Sequence, residues 1–205
     1  MSIAESDIQK VIGSESMFGL WEDPFFPAYD GRLAAHREDL HETRMHAEHA
    51  ETALIHAKRL GVDPQTVNSL MIGSELLDYA GEKFQAPLDL AAIWEKLGGV
   101  RPDPERWWNE WESQVTHYDH SGVTDLMDRI TDLKTAYRAE WLQEYTPYRL
   151  GSALGRWDGE YQYWRGVHEK LRHFNSNTHA GDRLPPLDEV IENPVLPRNP
   201  PINSK

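Results

Sequence analysis

Apolar positions along this chain recur at helical spacing almost throughout. From about Tyr29 to Leu60, Leu33, Leu40, Ala47 and Leu54 return every seven residues, with His36, Thr43, Ala50 and Ala57 three further on. That is the seam of a helix packed in a bundle, with small residues that admit a close neighbour. Gly61 stops it, and Asp63-Pro64 restarts the chain with an N-cap and a proline in the first turn. The next pattern, Val67, Leu70, Met71, Leu77 and Phe84, predicts a helix that ends by Pro87. A shorter one follows with Leu90, Ile93, Trp94 and Leu97. Asp103-Pro104 caps the segment RWWNEWESQVTHY. A fifth long stripe carries Leu126, Ile130, Leu133, Tyr137 and Trp141, and a sixth, after Pro147, carries Leu150, Leu154, Trp157, Tyr161, Trp164, His168 and Leu171. Ser2 and Glu5 form a capping box ahead of Ile8, Val11 and Ile12, which predicts a short first helix.

No segment alternates with period two for long enough to make a strand. The pattern therefore predicts an all-α fold, a helical bundle of about six to seven helices over residues 1–174. From residue 175 the composition changes, and six prolines fall in the last 21 residues. Residues 175–205 are expected to form an extended Pro-rich tail or a strap lying over the domain.

Composition narrows the function. The 205 residues include 34 acids against 21 Lys and Arg, for a net charge of −13, so a phosphate backbone or an anionic membrane surface is a poor partner. No run approaches the roughly 20 apolar residues of a membrane span. Cysteine is absent, which excludes disulfides and thiolate metal sites. The N-terminal residues carry neither a basic region nor an apolar run, as a signal peptide would. A start at Met1 points to the cytoplasm; membership of a larger exported protein would place the chain in the periplasm or outside the cell.

Two groups of residues invite chemistry. On the helix HREDLHETRMHAEHAETALIH, Glu38 and His41 have the Glu-x-x-His spacing of carboxylate-bridged di-metal bundles, and Glu42, His46 and His49 could form a surface metal site. No other Glu lies three residues before a His. The simpler account of this helix is a solvated polar face. HEKLRH places its histidines, His168 and His173, five apart, which fails the i, i+4 geometry of a zinc-protease helix. No GxSxG elbow, Walker loop or GxGxxG is present. The second group is aromatic. Trp107, Trp108 and Trp111 in RWWNEW either stack on sugars or fill a core. Tyr145, Tyr148, Trp157, Tyr161, Tyr163 and Trp164 exceed what one buried stripe requires. In LWEDPFFPAY, prolines enforce a turn in which Asp23 accepts backbone N–H bonds while Trp21, Phe25 and Phe26 bury against helices.

Several stretches resemble the C-terminal helical region of bacterial family 20-type glycoside hydrolases, the β-N-acetylhexosaminidase-like proteins. LWEDPFFPAY with MHAEHAETAL is similar to their Trp-x-Asp-Pro-Phe turn and Ala-Glu-rich helix. ELLDYAGEKFQ, YRAEWLQEYTPYRLGSALGRWD and RLPPLDEV resemble further segments of that region. The match spans roughly residues 15 to 190. The family's reaction belongs to a TIM barrel of about 250 residues, for which this chain has no room. There adjacent Asp and Glu drive a substrate-assisted hydrolysis. The one Asp-Glu dipeptide here, Asp188-Glu189, is in the proline tail and is not preceded by glycines. The resemblance implies a non-catalytic accessory domain, without catalytic residues or cofactor of its own, that packs on a catalytic barrel and contributes to its carbohydrate cleft. Trp21, Phe25, Phe26, Tyr145, Tyr148 and Arg149 would form the face. Purified alone, the accessory domain is expected to self-associate as a homo-oligomer through its orphaned face; the alternatives are a metal-binding bundle using Glu38, His41, Glu42, His46 and His49, and a stand-alone interaction module.

Overall fold

The computed structural model describes residues 19–25, 30–117 and 121–191. The expected first helix after Ser2, Phe26 and the end of the proline tail lie outside them. Among the described residues the fold is all-α. After a 3₁₀ turn (Gly19–Trp21) come α1 (Asp30–Ala35), α2 (Arg37–Arg59), α3 (Pro64–Lys96), α4 (Pro104–Trp107), a π-helical segment (Trp108–Thr116), α5 (Gly122–Glu144), α6 (Leu150–Asn177) and α7 (Leu187–Ile191). An isolated bridge between Val100 and Arg183 is the sole β-pairing among the described residues.

Local sequence fixes the helix starts. Asp63 accepts from Thr66 N at 2.9 Å, and Asp103 accepts from Glu105 N and Arg106 N, each ahead of a proline in the first turn. Ser121 and Thr124 form a reciprocal capping box at α5. The long pattern expected from about Tyr29 is divided at His36, whose backbone leaves helical geometry and whose ring pairs with Asp39 at 2.6 Å.

The expected helix end by Pro87 is overturned, because α3 runs through it for 33 residues. Pro87 has no N–H, so the Lys83 carbonyl loses its helical donor, an interruption worth about 3 kcal/mol. Packing outweighs that cost. Val67, Tyr79 and Phe84 before the proline and Leu90 after it are all buried, so both halves rest on the same bundle. Leu70, expected in the core, is instead 55% exposed near the start of α3.

Helix α3 is central, and its polar residues set its neighbours. Asp78 is 2% exposed; its carboxylate takes Arg44 Nε of α2 at 2.9 Å and also pairs with Arg129 of α5. Arg129 also meets Glu82 at 3.2 Å. A buried carboxylate between two guanidiniums fixes where α2 and α5 lie on α3, since leaving it alone would strand a charge. Gly81 makes that approach fit: a Cβ there would stand 2.5 Å from Arg44 Cγ and 3.2 Å from the Leu40 carbonyl. Helix α2 itself buries only Leu40 and Ala47 of its seam.

The main core joins α3, α5, α6 and the π segment through Tyr79, Leu126, Ile130, Leu133, Trp157, Trp164 and Leu171, with Trp107 and Trp111 closing one end. In the π segment the wider turn brings positions four apart onto one side, so Trp107, Trp111 and Val115 are all buried. Trp107 and Trp111 lie 5.7 Å apart; Trp108 points outward with its edge toward His117. Most of the Trp cluster is therefore core. After Asn177 the chain returns as a strap. Leu184 N donates to Gly99 O at 2.9 Å, Trp94 Nε1 donates to Pro185 O at 3.1 Å, and Leu184 and Ile191 are buried.

Burial raises the pKa of Glu75, which Arg129 partly offsets, and burial followed by repulsion from Glu75 raises Glu51. A carboxyl whose folded pKa lies above its unfolded value contributes stability in the protonated form, and that contribution is lost as pH rises through the folded value. Replacing Glu75 with Gln is expected to raise Tm at pH 7. The gain over wild type should vanish below the ordinary Glu range of about 4.3. Melting curves from pH 3 to 8 check this, and an unchanged or lower Tm for E75Q at pH 7 contradicts it.

Candidate interaction surface

The proline-enforced turn at residues 19–25 is held by Lys83, the most deeply buried charged side chain among the described residues. Lys83 is fully buried on α3. Its Nζ lies 2.7 Å from Glu160 Oε1 on α6 and donates to the Leu20 carbonyl at 2.7 Å. Tyr79 donates its hydroxyl to the same Glu160 oxygen at 2.6 Å. Asp23 accepts from Phe25 N at 2.8 Å and from the Tyr163 hydroxyl of α6. Trp21 stands edge-on to Trp157 at 4.8 Å, and Phe25 edge-on to Trp164 at 5.9 Å.

Burial drives the Lys83 pKa down against the pull of Glu160, and it drives the Tyr79 and Tyr163 hydroxyls up, with Glu160 and Asp23 adding to the effect. Shifts of this kind also mark catalytic groups. Here the Lys83 ammonium and the two tyrosine hydroxyls each meet a carboxylate, and neither the groove along His173 and Phe174 nor the cleft between Glu82 and Val123 is lined by any of these residues. Chemically the cluster is a latch. Trp21 and Phe25, expected on an external face, belong to the packing of their own bundle.

Tyr145, Tyr148 and Arg149 lie elsewhere, at the turn between α5 and α6. Tyr137, Trp141 and Tyr145 follow one another along the end of α5 with ring centres 5.7 and 5.1 Å apart, and Trp141 Nε1 donates to Thr146 O at 2.9 Å. Tyr145 is 60% and Tyr148 72% exposed. Arg149 adopts a left-handed backbone, φ 62°, and lays its guanidinium 5.3 Å from the Tyr148 ring centre. For a non-glycine residue that conformation costs about 1–2 kcal/mol.

Other exposed apolar residues lie at the same end. Ser69 Oγ donates to Glu140 at 3.0 Å and Asp78 pairs with Arg129, so α3 and α5 are antiparallel. The start of α3 is therefore level with the end of α5. Leu60 and Val62 in the α2–α3 connection, Leu70 on α3 and Leu142 on α5 are all exposed there. Sequence periodicity placed Leu70 inward and gave no signal for Leu60 or Val62; only the helix pairing shows that they share an end with Tyr145 and Tyr148.

Glu38, His41, Glu42, His46 and His49 are all exposed on α2. Among the described residues no three His, Asp or Glu side chains converge to hold a metal ion, and no helix is long and apolar enough to cross a membrane. Comparison with protein-family models, with curated proteins and with solved structures finds no match to this chain.

The latch is testable through its coupling. Lys83→Met leaves Glu160 buried without its cation and is expected to cost about 3–5 kcal/mol in urea unfolding. K83M/E160Q should cost clearly less than the sum of the two single substitutions. Additive single effects would show that the two groups do not work as a pair.

Proposed function

We propose that this chain is a non-catalytic helical accessory domain that docks on a protein partner through the end of the bundle formed by the α2–α3 connection and the α5–α6 turn. The observation that carries this reading is the gathering there of six exposed apolar or aromatic side chains, Leu60, Val62, Leu70, Leu142, Tyr145 and Tyr148. Single exposed apolar residues are ordinary, but a cluster at one end is the signature of a contact surface. Tyr and Arg are also the residues that most often dominate binding energy. Arg149, the left-handed N-cap residue of α6, supports the same reading by holding its guanidinium over the exposed Tyr148 ring.

The kind of partner rests on the sequence resemblance. The likeness of the WEDPFF turn and the α5–α6 junction to the helical region of family 20-type glycoside hydrolases supports a catalytic barrel as the surface being met, with carbohydrate reached through that barrel. In this reading Tyr145, Tyr148 and Arg149 form the docking face, while Trp21 and Phe25 hold the 19–25 turn against Trp157 and Trp164 of α6. The strongly shifted Lys83, Tyr79 and Tyr163 are engaged with each other's neighbours inside the bundle, which supports a structural role for them.

A catalytic barrel of that hydrolase class, titrated into the chain, is expected to bind, with the loss of Tyr148 in Y148A weakening association by about 2 kcal/mol, roughly 30-fold. Arg149→Gly should stabilise the free chain by relieving the left-handed strain, by up to about 1 kcal/mol, yet weaken binding. The chain alone should release no chromophore from aryl N-acetylglucosaminides. Absence of binding at high micromolar concentration, or hydrolysis by the chain alone that a single carboxylate substitution abolishes, would overturn the proposal.

A further inference from the structure

One cleft is lined by none of the residues of the latch or of the exposed end. It has a volume of about 200 Å³ and lies where α2, α3, the π-helical segment and the start of α5 meet. Leu90 and Ile93 of α3, Val115 of the π segment and Val123 of α5 form its apolar wall. Arg44, Glu82, Gln85 and Gln114 supply most of its polar part. An apolar wall with a few convergent polar groups is the usual make-up of a small-ligand site, and drug-sized ligands need upwards of ~300 Å³. The occupant is therefore small.

Two departures from regular helix border the cleft. Gln114 and Val115 belong to the π-helical segment, a rare geometry that concentrates at functional sites. Ala86 directly precedes Pro87, where α3 gives up a backbone hydrogen bond.

Charge decides the kind of ligand. Arg37 pairs with Asp89 at 3.0 Å, and Arg44 gives its Nε to Asp78 and a terminal nitrogen to Gln85 Oε1 at 3.3 Å. Glu82 is less well matched. Its Oε2 stands 3.2 Å from Arg129 Nε, out of line for a hydrogen bond and sealed from solvent, and Arg129 is shared with Asp78. The 17% of the Glu82 side chain that stays exposed lines the cleft. Burial holds its carboxyl above the ordinary glutamate range, against the pull of Arg44, and Asp125 pushes it further up. A largely buried carboxylate short of hydrogen-bond donors is costly. A ligand that brings both donors and positive charge removes that deficit, whereas an anion would meet Glu82 and Asp89. Among the described residues no three His, Asp or Glu side chains converge to hold a metal ion, so an organic cation suits the cleft better.

We propose that this cleft binds a small aliphatic ammonium ion, a protonated primary amine that donates to Glu82 and lays its hydrocarbon on Leu90, Ile93, Val115 and Val123. The 23 residues of α5 set it about 33 Å from the α5–α6 turn, so it works independently of the docking end.

NMR titration of the intact chain with n-butylamine hydrochloride at neutral pH tests this. Saturable shifts are expected at the Val115 and Val123 amides and at the side-chain amides of Gln85 and Gln114. The dissociation constant should be millimolar, as suits a ligand of about five heavy atoms. The neutral isostere 1-butanol should bind at least about tenfold more weakly, and butyrate more weakly still. Glu82→Gln should lower the affinity for butylammonium at least about tenfold while amide shifts away from the cleft stay in place. The amine–alcohol comparison on the unaltered chain decides the matter even if E82Q fails to fold. No saturable shift up to about 50 mM amine, butanol or butyrate bound as tightly, unchanged affinity in folded E82Q, or equal shifts along the acidic face of α2 would each overturn the proposal.

Discussion

A fully buried ammonium is the constraint around which this bundle is arranged. Lys83 can be taken out of water only if its charge and its donors are matched, since the desolvation penalty of an ion in a protein interior is several kcal/mol. Two groups from distant parts of the sequence meet that need: Glu160 of α6 and the Leu20 carbonyl of the proline-enforced turn. Glu160 is itself satisfied a second time by Tyr79. The pairing thus sets the register of α3 against α6 and draws the 19–25 turn onto both. Once the turn is seated, Trp21 packs edge-on to Trp157 and Phe25 edge-on to Trp164. An apolar pair of similar volume would stabilise the core at least as well, but it would accept sliding that an ion pair with fixed donors does not.

Asp78 repeats this logic on the opposite side of α3. One buried carboxylate between Arg44 and Arg129 orients α2 and α5, and Gly81 lets α2 come close enough for the contact. The two polar nodes explain how a helix with so modest an apolar stripe can sit at the centre of the fold. They also explain why α3 survives Pro87. The missing hydrogen bond falls one turn after Lys83, between two segments that are each anchored independently, so a local break there gains nothing. The aromatic residues divide accordingly: those near the latch complete the core, and those at the α5–α6 turn remain in solvent.

How much of this can be read in the sequence depends on whether a feature is local. Helix starts at Asp63-Pro64, Asp103-Pro104 and Ser121 follow from capping chemistry within four residues. The stripes Leu126–Ile130–Leu133 and Trp157–Trp164–Leu171 follow from period alone. Pro87 misleads because its local penalty is real but is outweighed by tertiary packing. Lys83 and Glu160 did carry a signal. Lys83 stands four residues after Tyr79 and seven before Leu90, and Glu160 falls between Trp157 and Trp164, so both occupy buried stripes as opposite charges. Pairing them needs the knowledge that α3 and α6 are neighbours, which no local pattern supplies. The grouping of Leu60, Val62 and Leu70 with Tyr145 and Tyr148 is hidden for the same reason, as is the division of Trp21 and Phe25 from those two tyrosines.

Charge gives the exposed end a further meaning. A net charge of −13 spread over the surface opposes close approach of most proteins, themselves commonly acidic, unless the contact is made where the negative field is weakest. The last turn of α2 places His56, Lys58 and Arg59 beside Leu60, and Arg149 stands over Tyr148. Cations at a helix C-terminus are also favoured by the helix dipole, so α2 holds them there at little cost. These cations stand at the end that exposes the apolar side chains, where they offset Asp63 and Glu140. In the proposed docking, apolar area would supply affinity and the local cations would reduce the repulsion that the rest of the chain imposes. Under the proposed docking, acidic stretches such as the exposed face of α2 would act in the opposite sense and disfavour association through the flanks.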